Sequence, residues 1–226
     1  MLLKKPLNEY IDHTLLRADA TPEEILKLCR EAAAYRFKAV CVNASYAALA
    51  SEALEGTGVL TACVVGFPLG AAPTAAKVAE TACACRDGAK EIDMVIHLGM
   101  LKSGDLACCT EDIRAVREEA DKYGAALKVI IETCLLTEEQ KVLACRAAAE
   151  AGAAFVKTST GFSTGGATPE DVALMRSVVG DALSVKASGG IRTLDAAMKM
   201  IEAGADRLGV SAGVAIMKEY LAGQRA

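Results

Sequence analysis

Ala151-Gly152-Ala153-Ala154-Phe155-Val156-Lys157-Thr158-Ser159-Thr160-Gly161 contains the unit from which the whole chain is built. A glycine closes a helical stretch, a short apolar strand follows, and the strand runs into a loop of hydroxyl side chains and glycine. Glycine at a helix end takes the left-handed conformation that side chains resist. Working outward, the same punctuation recurs at Gly88, Gly124, Gly152, Gly180 and Gly204, with separations of 36, 28, 28 and 24 residues by subtraction. The strands that follow are read as Glu91–Ile96, Leu127–Glu132, Ala154–Lys157, Leu183–Ala187 and Arg207–Val210. Upstream, Tyr10–Thr14, Ala39–Val42 and Val59–Val65 have the same character. Strands alternating with helices predict parallel βα units. Eight such units in 226 residues predict an α/β chain folded as a single-domain (β/α)8 TIM barrel spanning 1–226. The runner-up is an open, doubly wound sheet.

Helix starts agree. Thr21-Pro22-Glu23-Glu24 supplies a cap, a proline at the first helical position and a glutamate three past the cap. Thr137-Glu138-Glu139-Gln140 repeats the box and Thr168-Pro169-Glu170-Asp171 comes close to it. Ile25, Leu28, Cys29 and Ala32 form the inward stripe of the first helix, and the charge run Glu111–Lys122 reads as a solvated helix face.

Composition narrows the function. With 53% hydrophobic residues the chain folds around a large core, and a net charge of −4 gives no support to nucleic-acid binding. The uncharged stretch Gly56–Ala76 is broken by Pro68, Pro73 and glycines, so it reads as a buried strand and loop, with no membrane span. The first eight residues lack the apolar region of a secretion signal. The nine cysteines then read as reduced core residues of a cytoplasmic protein, and neither Cys83/Cys85 nor Cys108/Cys109 has metal-site spacing. No metal and no organic cofactor is expected.

The chemistry begins with Lys157 and, in the next unit, Lys186 of Leu183-Ser184-Val185-Lys186. A lysine inside a parallel sheet is costly to bury, and a like charge beside it disfavours protonation, so at least one amine is expected to be pushed toward its neutral, nucleophilic form. An ordinary lysine titrates near ~10.4. Bringing half the population to the neutral form at pH 7 requires roughly 4 kcal/mol, within reach of burial plus a like charge.

Strand parity adds partners. Ile92, Met94 and Ile96 share one face, leaving Glu91 and Asp93 on the other; Leu127, Val129 and Ile131 oppose Lys128 and Glu132. If the apolar sets meet the helices, Asp12, Asp93, Lys128, Glu132, Lys157 and Lys186 converge inside the barrel. The competing reading is a set of ion pairs that only knit the barrel layers. Three lysines on three successive strands, with acids on neighbouring strands, favour a reactive interior. Gly189-Gly190-Ile191-Arg192, Ser211-Ala212-Gly213 and Thr158-Ser159-Thr160-Gly161 follow strands seven, eight and six, where backbone N–H groups suit a phosphate. Each alone is also what a plain turn looks like.

Taken together these stretches resemble the 2-deoxyribose-5-phosphate aldolase family, class I (Schiff-base) aldolases with a (β/α)8 fold. The resemblance runs nearly end to end, through Tyr-Ile-Asp-His-Thr-Leu-Leu (10–16), Ala-Val-Cys-Val-Asn (39–43), Gly-Phe-Pro-Leu-Gly (66–70) with Thr74, Lys77 and Glu80, Glu-Ile-Asp-Met-Val-Ile (91–96), Leu-Lys-Val-Ile-Ile-Glu-Thr (127–133), Phe-Val-Lys-Thr-Ser-Thr-Gly-Phe (155–162) and Val-Lys-Ala-Ser-Gly-Gly-Ile-Arg (185–192). It implies that Lys157 forms the Schiff base and that Lys186 is the neighbour lowering its pKa. It implies that Asp93, with Lys128 and an ordered water, moves the protons, and that Asp12 belongs to the same polar network. Phosphate contacts are implied at Gly161, Gly189, Gly190 and Ser211. The implied substrates are a small sugar phosphate and aldehydes, with neither nucleic acid nor membrane as partner; a homo-oligomer, dimer or tetramer, is compatible with it.

The chain departs from the family pattern at three places. His97 stands where the family usually has Asn, Ala44 where it often has Pro, and Ala212 leaves Ser211 without the further hydroxyl common there. The last touches the side-chain part of phosphate binding and leaves the backbone part. His97 is read as a loop residue, with proton carrier as the alternative. Cys41 is read as a packed strand residue near the mouth, open to alkylation by an enal only if its thiolate is accessible. Other functions weighed are a transaldolase or keto-acid aldolase, a cofactor-free sugar-phosphate isomerase using Lys157 as a phosphate ligand, and a silent binding protein on the same scaffold.

Overall fold

The computed structural model describes residues 3–224, so the outermost two residues at each end of the expected 1–226 domain lie outside the described residues. Eight strands form a closed barrel in chain order: β1 (Ile11–Leu15), β2 (Ala39–Asn43), β3 (Leu60–Val65), β4 (Glu91–Val95), β5 (Ala126–Ile130), β6 (Phe155–Lys157), β7 (Ser184–Ser188) and β8 (Arg207–Val210). All pairings are parallel. The open-sheet alternative fails at the seam, where β1 pairs with β8 through Ile11 and Leu208, Asp12 and Gly209, and His13 and Val210.

Helices α1 (Pro22–Tyr35), α2 (Ala47–Ala53), α3 (Thr74–Arg86), α4 (Leu98–Ser103), α5 (Leu106–Asp121), α6 (Glu138–Glu150), α7 (Pro169–Val179), α8 (Leu194–Glu202) and α9 (Gly213–Gly223) follow the strands. Both capping boxes form: Thr21 accepts from Glu24 N and Thr137 from Gln140 N, with the third-position side chain returning to the cap in each. Thr168 caps α7 by accepting from Asp171 N. Each such cap contributes about 1 kcal/mol. The inward stripe of α1 is Ile25, Leu28, Cys29 and Ala32, all buried.

Two expectations need correction, and one element was not expected. The fifth strand stops at Ile130, and Glu132, expected at its end, has φ 55. The short helix α4 between β4 and α5 has no counterpart in the sequence reading. The Glu111–Lys122 run is not wholly solvated: Asp112 is buried, 2.6 Å from the equally buried Lys77 Nζ, and it accepts from Thr74 Oγ1. A charge count along α5 misses this, because α5 packs on α3 and each helix brings one member of the pair.

The core has two parts. Outward residues such as Ile92, Met94, Leu127, Val129, Val185 and Leu208 are buried against the helices, each worth roughly 1.5–3 kcal/mol in area removed from water. Inside the barrel a smaller apolar cluster, Leu16, Ala39, Cys41, Ala62 and Val64, fills the side under β2 and β3. The opposite side of the interior is ionic.

Candidate active site

That ionic side is set by strand alternation. In β4, Glu91 and Asp93 face inward; Lys128 (β5), Lys157 (β6), Lys186 and Ser188 (β7), Arg207 (β8) and Asp12 (β1) do the same. The register places Asp93 beside Lys128, Lys157 beside Lys186, and Lys186 beside Arg207. Asp93 is the hub. Its Oδ1 is 2.7 Å from Lys128 Nζ, and its Oδ2 is 2.8 Å from both Lys157 Nζ and Lys186 Nζ. Lys186 also reaches Asp12 Oδ2 at 2.6 Å, and Lys128 reaches Glu91 Oε2 at 2.6 Å. Arg207 closes the lower layer, its Nε 2.8 Å from Asp12 Oδ1 and both Nη atoms 2.9 Å from Glu91.

Burial alone would push the Asp93 carboxyl up, but Lys128, Lys157 and Lys186 outweigh it and hold it well below the usual carboxylate range. Asp12 behaves alike, depressed by Arg207 and Lys186 against burial. Glu91 is lowered too, by Lys128 and Arg207 against burial. Lys186 goes the other way. Burial works against its charge, yet Asp12 and Asp93 more than offset this and raise its pKa. Of the paired lysines, Lys186 is therefore a fixed cation.

A cavity of about 450 Å³ opens at the C-terminal ends of the strands, the end at which barrels of this kind carry their sites. Lys157 lines it, as do Gly161, Gly189, Gly190, Ser211 and Arg192. Lys128 and Lys186 are fully buried and do not. The loops around the cavity interlock. Ser188 Oγ donates to Ser159 O at 2.6 Å, and Thr158 Oγ1 donates to Ser188 O at 3.1 Å. Gly189 lies at φ 85, and a Cβ there would sit 3.0 Å from the Gly166 Cα, so the two loops meet backbone to backbone. Only glycines allow that approach.

Not every expected residue joins the interior. Glu132 leaves it, because strand alternation ends with β5 and the left-handed turn swings its side chain onto the β6–α7 loop. There it accepts from Thr160 N at 3.3 Å and from Thr160 Oγ1. Cys41 sits in the middle of β2, fully buried, with Sγ 3.9 Å from Asp93 Oδ2 and its thiol pushed up by burial; it offers no accessible thiolate. His97 caps α4, its Nδ1 accepting from Met100 N at 3.3 Å. Among the described residues no group of three or more His, Cys, Asp or Glu side chains is arranged to hold a metal ion, and no helix is long and apolar enough to cross a membrane.

The model of the DeoC/LacD family aldolases matches residues 8–219. The chain belongs to the DeoC/LacD family of aldolases. It is 55% identical over 213 residues to a deoxyribose-phosphate aldolase of Clostridium tetani, covering 94% of this chain and 98% of that one. It is 58% identical over 212 residues to the enzyme of the same name from Thermococcus gammatolerans, covering 93% and 94%. A deoxyribose phosphate aldolase from Aeropyrum pernix, described as having a unique tetrameric structure, superposes with a TM-score of 0.89 at 36% identity over 95% of this chain and 91% of that one. In this DeoC/LacD aldolase, the sequence reading missed Arg207 and the part played by Glu91. The signal was present. Leu208 and Val210 face the helices, which leaves Arg207 and Gly209 pointing inward, and the same parity had already turned Glu91 toward the interior.

Proposed function

We propose that this aldolase reversibly cleaves 2-deoxy-D-ribose 5-phosphate to acetaldehyde and D-glyceraldehyde 3-phosphate through a Schiff base on Lys157. One observation carries the choice of nucleophile: of the three lysines gathered on Asp93, Lys157 is the one that lines the open cavity.

The open-chain aldehyde enters with its phosphate toward Gly161, Gly189, Gly190 and Ser211, whose backbone N–H groups suit an anion. The neutral Lys157 amine adds to the aldehyde carbon, and loss of water gives a protonated imine. The proton of the C3 hydroxyl passes through an ordered water to Asp93, with Lys128 holding the other carboxylate oxygen. The C2–C3 bond breaks, its electron pair flows into the imine as an enamine, and glyceraldehyde 3-phosphate leaves. Proton return to C2 and hydrolysis release acetaldehyde and regenerate Lys157. Lys186, held by Asp12 and Asp93, keeps a fixed positive charge beside the nitrogen while electron density moves toward it. The protonated imine on Lys157 is the electron sink.

The nine cysteines are free, which supports a reducing, cytoplasmic setting. The tetramer described for the A. pernix relative supports a homo-oligomer.

Incubation with deoxyribose 5-phosphate, borohydride reduction and peptide mapping test the proposal. An adduct on Lys157 is expected. An adduct on Lys186 would reverse the two roles, and a folded protein without any adduct would refute the mechanism.

A further inference from the structure

The interior holds one more cation than carboxylate. Lys128, Lys157, Lys186 and Arg207 face Asp12, Glu91 and Asp93. Three of the cations each touch two carboxylates: Lys128 has Glu91 and Asp93, Lys186 has Asp12 and Asp93, and Arg207 has Asp12 and Glu91. Lys157 touches one, and shares that oxygen, Asp93 Oδ2, with Lys186. A guanidinium does not give up its proton in a protein. Arg207 is 3% exposed, and the Phe155 ring lies 5.8 Å from it and 5.7 Å from Lys128 Nζ, so an aromatic side chain lies beside the buried lower layer.

We propose that Arg207, together with Glu91, sets the proton count of the interior amines: its fixed charge leaves one lysine proton in excess, and the proton that leaves is the one on Lys157. The inference rests on the Schiff-base reading and deepens it. Losing that proton matches three cations to three carboxylates and relieves the doubly occupied Asp93 oxygen. The titratable groups around Lys157 are Asp93 from β4, Lys128 from β5, Lys186 from β7, Asp12 from β1 and the Cys41 thiol from β2, with Glu91 and Arg207 in the layer below; Glu132, past the end of β5, turns to Thr160 instead. Arg207 does not line the active-site cavity and acts through Asp12 and Glu91, so it is a positioning residue.

The test is the pH dependence of kcat/KM for deoxyribose 5-phosphate, whose acid limb reports loss of one proton from the coupled cluster. Arg207→Met is expected to move that limb up by about one pH unit, the scale of a nearby charge in a buried site. Rates below the limb then fall about tenfold and recover at higher pH. Glu91→Gln removes a carboxylate and is expected to move the limb down. Arg207→Lys keeps a cation at this position, but one that can give up its proton, so the limb is expected to move up by less than in Arg207→Met. Circular dichroism checks each fold, and if Arg207→Met does not fold, Glu91→Gln and Arg207→Lys decide. Limbs that stay put in folded Arg207→Met or Glu91→Gln, or that move the same way in both, would overturn the role of Arg207. A wild-type protein without a borohydride adduct would instead overturn the Schiff-base reading, and this inference with it.

Discussion

Lys128 and Lys186 are each gripped by two carboxylates, Lys157 by a single shared oxygen, and this inequality separates three side chains that look equivalent in the sequence. Lys157→Met is expected to abolish the borohydride adduct and to lower turnover by at least ~10³-fold, since the covalent route is lost. Lys186→Leu is expected to keep the barrel and lose most activity at neutral pH; unchanged turnover there would remove Lys186 from the mechanism. Glu132 makes a different case. A buried carboxylate on a left-handed backbone, clamped on Thr160 beside Gly161, fixes the loop at the proposed phosphate end. Glu132→Gln is expected to raise KM for deoxyribose 5-phosphate several-fold while sparing kcat and the reaction of unphosphorylated deoxyribose. Equal losses on both substrates would make Glu132 a support of the whole site. Parity reasoning placed Asp12, Asp93, Lys128, Lys157 and Lys186 correctly because each lies within a strand. It failed for Glu132 because the alternation it relies on stops two residues earlier, at Ile130.

The elements were legible where their ends carry chemistry. Thr21, Thr137 and Thr168 announce helices because a side-chain oxygen three residues before a free N–H is a local contact that needs no tertiary partner. Thr21→Ala is expected to cost about 1 kcal/mol in urea unfolding without altering the site. The glycines at strand-leading helix ends were legible for the same reason, and Gly88, Gly124, Gly152, Gly180 and Gly204 all have positive φ. Gly189 is the opposite case. Its positive φ is local, but its need to lie against Gly166 comes from a loop more than twenty residues away in sequence. Gly189→Ala therefore strains the backbone and pushes the two loops apart. Weaker competition by inorganic phosphate, with little change in the melting of the barrel, is the outcome that would place the effect in the site. The helix α4 was illegible because Leu98–Ser103 has neither a threonine cap nor a long apolar period; His97 caps it instead.

At the scale of the molecule, the charged interior ties stability to pH. Asp12, Glu91 and Asp93 have folded pKa values below their unfolded ones. Below about pH 4 the unfolded chain therefore takes up protons that the folded barrel refuses, and stability falls as pH drops. Lys186 is raised on folding, so its contribution is complete below about pH 10 and is lost as pH rises further. Urea midpoints are expected to be flat between these limits and to fall on both sides. A midpoint that holds down to pH 3 would mean the folded barrel does not hold these carboxylates below their unfolded pKa values. The sequence by itself determined the βα rhythm, the helix caps, the family and the facing of most site residues, because each depends on neighbours a few positions apart. Only the tertiary structure decided that β1 closes on β8, that Arg207 bridges Glu91 and Asp12 across the barrel, and that Lys157 alone of the three clustered lysines meets the cavity. Closure brings together strands nearly two hundred residues apart, and no local pattern records which amine is left with one shared oxygen once they meet.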